Sequence, residues 1–475
     1  MLQDVVPFKE FASKKFPGIV GRAILQFIGV LEKALGIRTV IDADEVPYGK
    51  TELSDLFFIA SSLKKVGTLT SYSQSIAPPD EPRIFKWQAR YGTENAGGMS
   101  AHSDRNALTA ALAECVERKI WADKTDFFKK PFTASTSEMK DTAHISPERF
   151  AGLTEKQRTE KDFLKMQPIN TYLWIRGYSL VQNKPIYIPA QIVSRVHGIA
   201  IKKNKSEPLL RPIITTGLAT GQTRKNALLS GALEVIERDA FMVTWLNQIT
   251  PSHISTDELL KSETLDALLS KCKRYRLDVD FVRLMTDAPT YVIGAVVSDG
   301  ANMPPIAIGM SAHQDASRAA EKALLEALRA RVNTRNRLEK FRERAYKPVE
   351  TISQGERSMY WAVDDRSKQL SFLTAGPLQA LDDEAWDDDT TEEHLERIIE
   401  WCRKKKYELA EIDMTNSAAN TTPWCVTFVV IPEMQPLHQN EDLPCIGGAR
   451  LKDIPKQFRH EPRAEPFVAA PHPFV

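Results

Sequence analysis

Three stretches of this 475-residue chain repeat one helical pattern, so the chain must fold in a way that presents their matching faces to similar surroundings. From Ala227 onward the apolar residues Leu228, Ala232, Val235 and Ile236 recur at three- and four-residue steps, which predicts a helix with one buried face. Glu234 and Glu237 lie three apart and Glu234 and Arg238 four apart, so these groups project together from neighbouring turns. The segment from Ala107 repeats the register: seven positions to Glu114, three more to Glu117, then Arg118. A third copy keeps alanine seven residues before its glutamate, Ala319 to Glu326, and has Arg329 where the others have a second glutamate. Gly98-Met-Ser-Ala-His leads into the first copy and Gly309-Met-Ser-Ala-His into the third. Each copy therefore predicts a strand, a glycine turn and a helix, and a helix start offers backbone N–H groups to phosphate oxygens.

One Glu/Arg pair at helical spacing reads as a solvated salt bridge contributing a few tenths of a kcal/mol. Three copies in order call for another use. Clustered carboxylates suit a hard divalent cation such as magnesium, and arginines with free N–H groups suit a polyphosphate. No Walker-type glycine-lysine-serine/threonine run and no kinase-type glycine loop occurs, so any ATP site is built differently.

Length allows two to four domain-sized units, or one large domain with an extension. The net charge of +1 points to neither nucleic acid nor an anionic membrane. Cys115, Cys272, Cys402, Cys425 and Cys445 are widely spaced with no C-x-x-C pair. They read as reduced thiols, predict neither a zinc site nor a disulfide framework, and favour the cytoplasm, as does an N-terminus without a signal core. Residues 1–68 read as a helical extension that falls short of a membrane span, followed by a Pro-rich linker over 75–82. Strands are predicted over 171–178, 184–193, 212–216, 277–283, 291–297 and 305–309, and residues 133–165 read as a polar surface excursion. The acidic run 382–389 reads as a solvated face ending at a helix N-cap, with no metal site. The end, Pro466 to Val475, reads by itself as a poly-proline tail.

The two Glu-x-x-Glu-Arg helices, the Gly217-x-Ala-x-Gly221 stretch, the third Glu/Arg helix and the Pro-rich end resemble the YcaO family from about Ser71 to Val475. Residues 82–90, 411–415, 426–432 and 447–450 add to the resemblance. It implies a mixed α/β fold, residues 69–475, with mixed sheets and three ATP-facing helices, and an enzyme that uses ATP and Mg2+ to phosphorylate a peptide-backbone amide oxygen. A Cys, Ser or Thr side chain of a ribosomally made precursor peptide then closes an azoline ring. Thioamidation with a sulfide-delivering partner and a non-catalytic peptide-binding subunit stand as alternatives. The resemblance implies a leader-binding partner protein, for which residues 1–68 are a candidate docking surface, and, by analogy, a homodimer.

Carried onto this chain, the resemblance implies Glu114, Glu117, Glu234 and Glu237 as magnesium ligands, with Asn226 where the family commonly has an acidic residue. A neutral amide there would ligate a hard cation less strongly. For the nucleotide it implies Ser103, Gln222, Arg238 and Arg331, supported by Arg118 and Glu321. Azoline-forming members end in Pro-x-Pro-x-Pro; here Pro471 and Pro473 match and Val475 takes the last position. The Val475 carboxylate and His472 are thereby candidates for proton transfer, His472 through an ordinary pKa in the useful range.

Overall fold

The computed structural model describes residues 53–122, 131–161, 164, 170–204, 207–260, 262–347, 349, 352–381, 384, 386–415, 422–439, 441–464 and 470–474. Most of the predicted N-terminal extension, and Val475, lie outside them. In chain order the elements are α1 (Leu53–Lys65), β1 (Ser71–Gln74), β2 (Phe85–Tyr91), β3 (Glu94–Ser100), α2 (Asp104–Ala122), β4 (Phe132–Ser135), α3 (Glu155–Glu160), β5 (Thr171–Ser179), β6 (Lys184–Pro189), α4 (Arg195–Asn204), β7 (Leu218–Gly221) and α5 (Arg224–Asn247). There follow β8 (Ser252–Ile254), α6 (Thr256–Leu259), α7 (Glu263–Arg274), β9 (Asp278–Arg283), β10 (Tyr291–Ser298), β11 (Ile306–His313), α8 (Ala316–Phe341), α9 (Arg357–Trp361), α10 (Thr391–Lys405), β12 (Ala410–Asp413), β13 (Cys425–Val430) and α11 (Arg450–Gln457).

The strands form sheets in the orders β1-β2-β3, β11-β10-β9-β8 and β4-β5-β12-β13-β7, with β6 paired to β5. The fold class is mixed α and β as expected, but within the sheets every pairing of these strands is antiparallel rather than mixed. Hairpins such as β2-β3 and β10-β11 explain this, since each strand returns beside its predecessor before the helix begins.

Two glycines of the repeat, Gly98 and Gly309, sit inside strands and not in turns. Gly98 lies in β3, where an added Cβ would fall 1.9 Å from Ala107 O and 2.3 Å from Ala111 N of α2. Gly309 in β11 approaches α8 as closely, one helical turn further along, 2.3 Å from Ala323 O and from Ala327 N. Glycine in the strand and alanine in the helix let the two backbones approach within what a side chain would otherwise fill. The strand expected over 212–216 is displaced for a related reason. Gly217 takes φ of +94°, turns the chain, and starts β7 at Leu218, with its own carbonyl accepting from Val429 N at 2.7 Å.

The helices cover the sheets with the faces their periodicity predicts. Leu108, Leu112 and Val116 of α2 pack in one core with Leu56, Ile59 and Leu63 of α1 and with the β5, β6, β12 and β13 residues. The face of α1 therefore belongs to the core of the following elements, at ~1.5–3 kcal/mol for each fully buried Leu or Ile. A second core joins α5, β10, β11 and α10, and a third joins α7, α8 and the opposite face of β10. Strand β10 is buried at seven of its eight positions because helices and neighbouring strands cover both faces.

The 75–82 linker is pinned by charge. Arg331 of α8 is 1% exposed and donates from Nε to both Glu81 oxygens at 3.1 and 2.9 Å, from NH2 to Asp299 at 2.7 Å and from NH1 to the Pro304 carbonyl at 2.9 Å. The cysteines Cys115, Cys272, Cys402, Cys425 and Cys445 form no disulfide. No helix among the described residues is long and apolar enough to cross a membrane.

Replacing Gly309 with alanine is expected to destabilise the protein by about 3 kcal/mol, because the new methyl meets backbone that cannot rotate away. The control Gly300→Ala, at a glycine with nothing within 4 Å, should stay within ~0.5 kcal/mol. Urea denaturation of the two variants gives the comparison; equal midpoints would refute the close-approach account.

Candidate functional site

The helix-on-strand crossing aims one glutamate per repeat at the strand it covers. Gly97 N donates to Glu114 Oε2 at 2.9 Å, Gly217 N to Glu234 Oε2 at 2.9 Å, and Met310 N to Glu326 Oε2 at 3.0 Å. The three bonds are alike, each from a backbone N–H 17, 17 or 16 residues before its glutamate, and each leaves the second carboxylate oxygen to other partners. Glu326, which sequence reasoning placed in the third repeat without a site role, is thus the counterpart of Glu114 and Glu234. Its signal was the alanine seven residues before it. Glu237, one helical turn beyond Glu234, accepts from Ala312 N of β11 at 3.2 Å, tying α5 to the third repeat.

These carboxylates feel one another. Burial first, then Glu114 and Glu234, push Glu117 up to about 8, from an ordinary value near 4.5. Burial pushes Glu237 up to about 8 as well, with Glu326 and Glu234 adding to it and Arg238 opposing. Glu234 is raised by burial and by Glu326, with Arg238 opposing. Surrounding protein nevertheless leaves them reachable: side-chain exposure is 26% for Glu114, 30% for Glu234, 12% for Glu237 and 19% for Glu326. That combination describes the wall of a cleft, desolvated on most sides and open on one.

Arginines alternate with the acids. Arg118 donates to Glu114 Oε1 from Nε at 2.9 Å and from NH2 at 2.6 Å, and Arg329 NH2 to Glu326 at 3.1 Å. Arg238 stands farther off, with NH2 3.6 Å from Glu234 and Nε 3.6 Å from Glu237, and its buried Nε makes no hydrogen bond among the described residues. Its guanidinium lies over the Phe474 ring at 3.9 Å, which brings the C-terminal segment to the cleft. Lys322 of α8 adds a cation that the sequence reading did not assign; burial lowers its pKa and Glu237 opposes that.

The remaining predicted residues are distributed around this centre. Ser103 caps α2, its Oγ accepting from Asn106 N at 3.2 Å. Glu321, 4% exposed, is held by His102 Nε2 at 2.9 Å and Arg318 at 3.3 Å, which joins α8 to the start of α2. Gln222 is exposed in the turn between β7 and α5. Asn226 is engaged in the cap of α5: Thr223 Oγ1 accepts from its backbone N–H at 3.1 Å and donates to its Oδ1 at 2.9 Å, and its Nδ2 donates to Thr391 at 3.4 Å. The carbonyl expected to ligate magnesium is occupied as a cap acceptor. Arg331 lies in the buried Glu81 and Asp299 network instead of among the cleft arginines.

His472 also departs from expectation. Its side chain is fully buried, Nε2–H donates to the His438 carbonyl at 2.7 Å, and its pKa falls well below the ordinary value. Burial is the largest cause, and Arg357, His438 and Arg238 add to it. An enclosed imidazole so shifted stays neutral and is a poor proton carrier.

The fold defines a class of protein that brings the acidic and basic side chains of three repeated helices together. The family model described as YcaO cyclodehydratase, ATP- and Mg2+-binding, matches residues 97–435, and the chain belongs to the YcaO family. It is 24% identical over 241 residues to an uncharacterized protein in the tfuA 3′ region of Rhizobium leguminosarum bv. trifolii, covering 48% of this chain and 52% of that protein. An uncharacterized protein of Methanothermobacter thermautotrophicus is 26% identical over 160 residues, 33% of this chain and 40% of that one. The chain thus spans about half or less of the length of these relatives. Among solved structures it resembles a heterocyclase in complex with substrate and cofactor, with TM-score 0.69 and 19% identity over 88% of this chain and 57% of that one. It resembles YcaO from Methanopyrus kandleri bound with AMPPCP and Mg2+ at TM-score 0.57 and 20% identity, covering 80% and 90%. The Escherichia coli microcin synthetase McbBCD complex matches at TM-score 0.54 and 14% identity, covering 76% and 87%. At these identities the structures share the fold.

The raised carboxylates make a signed prediction. A glutamate with pKa near 8 when folded and near 4.5 when unfolded holds its proton in the native state while the unfolded chain has lost it, so its contribution to stability falls as pH rises between those values. In metal-free protein the melting temperature of Glu117→Gln, relative to the parent, is therefore expected to rise from pH 5 to pH 8. Millimolar Mg2+ should flatten that difference by lowering the parent's carboxylate pKa values. Calorimetry across pH with and without Mg2+ is the measurement, and a pH-independent difference in metal-free protein would contradict the cluster.

Proposed function

We propose that this protein is an enzyme that uses ATP and Mg2+ to activate backbone amides of a ribosomally made precursor peptide, and that the product is a thiazoline or oxazoline formed by cyclodehydration of Cys, Ser or Thr. The observation that carries this reading is the convergence of Glu114, Glu117, Glu234, Glu237 and Glu326 beside Arg118 and Arg238 on three equivalent helices. The donor set fits the pair of ligands. Carboxylates that raise one another's pKa are stabilised by a hard cation, and Arg238, no closer than 3.6 Å to Glu234 or Glu237, supplies positive charge that an anionic oxygen would attract.

Bound ATP and Mg2+ would supply a phosphoryl group that converts an amide oxygen, a poor leaving group, into a good one. The glutamates would hold the cation side of that complex. Arg118 and Arg238 would meet phosphate oxygens with planar donor forks, and Ser103 and Gln222, at the starts of α2 and α5, are placed for the nucleotide where helix N-termini favour anions. Lys322 adds positive charge on the Glu237 side, and the buried Phe474 ring keeps water from one face of Arg238, strengthening its field toward the reacting group. The family description, the M. kandleri YcaO solved with AMPPCP and Mg2+ and the heterocyclase solved with substrate and cofactor support this reading. The McbBCD complex supports a leader-binding partner protein, and a homodimer remains part of the proposal.

The test combines mass spectrometry with phosphate release. A candidate precursor peptide from a neighbouring short reading frame is incubated with the protein, its partner and Mg-ATP. Loss of water from the peptide with stoichiometric phosphate is expected, and Glu234→Gln should slow both by roughly 100- to 1,000-fold. Replacement of oxygen by sulfur when sulfide is supplied would select thioamidation instead. No mass change and no phosphate release, with a peptide shown competent in the same assay, would reject the enzyme and leave a peptide-binding subunit.

A further inference from the structure

Outside the cleft the structure assembles a second group of ligating side chains, His438, Glu441 and His472. Each can offer one ligand atom, and these atoms all lie within 4.8 Å of one another; among the described residues no other such group of three is found. His438 and Glu441 belong to the loop after β13, and His472 to the C-terminal segment, so the group joins parts of the chain that no strand pairing connects. We propose that His438, Glu441 and His472 bind one Zn2+-class ion that staples the C-terminal segment to this loop.

The polar bookkeeping of the group points to a missing ligand. His472 donates Nε2–H to the His438 carbonyl, so its Nδ1 carries the lone pair; that Nδ1 is buried and has no partner among the described residues. His438 and His472 are at least nine-tenths buried, at 3% and 0% exposure, so water from bulk does not satisfy the His472 Nδ1. His438 Nε2 stands 3.1 Å from Glu441 Oε2. Two ligand atoms of a tetrahedral ion with bonds of about 2.0–2.1 Å stand ~3.3 Å apart, so only a small adjustment separates this spacing from coordination.

The surroundings resemble those that orient metal ligands. A ligating imidazole commonly donates its other N–H to a carbonyl, as His472 does, and a ligating carboxylate is itself held by a donor. Arg357 fills the second role: it is fully buried, with Nε 2.7 Å from Glu441 Oε1 and NH2 2.9 Å from the His438 carbonyl. Glu441 is the single anion of the group, and Arg357 already draws on its charge. Two neutral imidazoles and one shared carboxylate therefore select a borderline ion such as Zn2+ over Mg2+ or Ca2+, which need several anionic oxygens. The cysteine spacing leads to an expectation of no zinc site, and this group, which uses no cysteine, departs from it.

Such an ion would act on the cleft through the tail. Two residues after His472, Phe474 packs on Phe241 at 5.5 Å and under the Arg238 guanidinium at 3.9 Å, while Trp361 Nε1 donates to the Pro471 carbonyl at 2.9 Å. Fixing His472 fixes the ring that backs Arg238. The inference stands on this group alone and does not depend on the proposed reaction.

The test titrates Zn2+ into EDTA-treated full-length protein against a chromophoric chelator, followed by metal analysis after dialysis. One equivalent is expected to bind and to be lost in His438→Ala and His472→Ala, and Glu441→Gln should weaken it roughly 10- to 100-fold. Glu117→Gln and Glu237→Gln, which alter the cleft carboxylates, should retain it. If the histidine variants fail to fold, zinc-edge X-ray absorption on the parent protein decides the matter, since imidazole ligands give a recognisable scattering pattern. No bound equivalent, an equivalent unchanged in folded His438→Ala, or a zinc shell without imidazole would each overturn the site.

Discussion

The glutamates can reach the backbone N–H groups of the strands because the helices cross at the distance of a missing Cβ. Gly98 against Ala107 and Ala111, and Gly309 against Ala323 and Ala327, bring helix and strand backbones together. At that spacing Glu114, seven residues after Ala107, and Glu326, three after Ala323, are long enough to accept from the strand, and an aspartate would fall short by one methylene. The bond then costs the site nothing in flexibility, because the donor belongs to a sheet whose own register holds it. Larger residues at Gly98 or Gly309 would push the helix outward and leave the Gly97 or Met310 N–H and its carboxylate to find other partners.

Holding like charges close is unfavourable unless something else fixes them. Here α5 is anchored at its far end by Asp239, which is 0% exposed and receives Arg450 through Nε at 2.8 Å and NH2 at 2.7 Å, with Gln435 N at 2.7 Å. Arg450 also reaches Asp287 at 2.8 Å, and Lys405 reaches the same carboxylate at 2.7 Å. A buried ion pair of this kind contributes little net stability against a well-packed apolar alternative, but breaking it strands a charge. Its use is register: Asp239 is the residue after Arg238, so locking it sets the rotation of the turn that carries Glu234, Glu237 and Arg238.

How much of this could be read beforehand follows from what each signal encodes. The spacing from alanine to glutamate survives in sequence because helical periodicity is local, so Glu114, Glu117, Glu234 and Glu237 stood out in two short segments, which the resemblance then joined in one site. The fold class and five of the six strand ranges read from sequence were legible for the same reason, through runs such as Tyr291 to Val297. Arg331 was not, because the acceptor that claims it, Glu81, is 250 positions away and sits in what reads as a linker. Asn226 has two local uses at a helix start, ligand or cap, and a hydroxyl three residues earlier decided between them. Glu326 was seen but not weighted, since its helix carries Arg329 where a second acid was sought, and only the repeated strand contact identifies it as the third equivalent group.

The tail illustrates the limit of reading chemistry from residue type alone. An exposed histidine near a C-terminus titrates near neutrality and suits proton transfer, but burial and three nearby cationic or imidazole groups oppose the charged form of His472. What the segment contributes to the cleft is position, since Phe474 lies within the same core as Phe241 and Trp245 of α5. A ring held there keeps Arg238 from swinging fully onto Glu234 or Glu237, and the 3.6 Å separations from both are the visible result. An arginine bound tightly to its own carboxylates would have its donors satisfied before any anion arrived; one backed by an aromatic face keeps them available, which is the arrangement a phosphate-binding site requires.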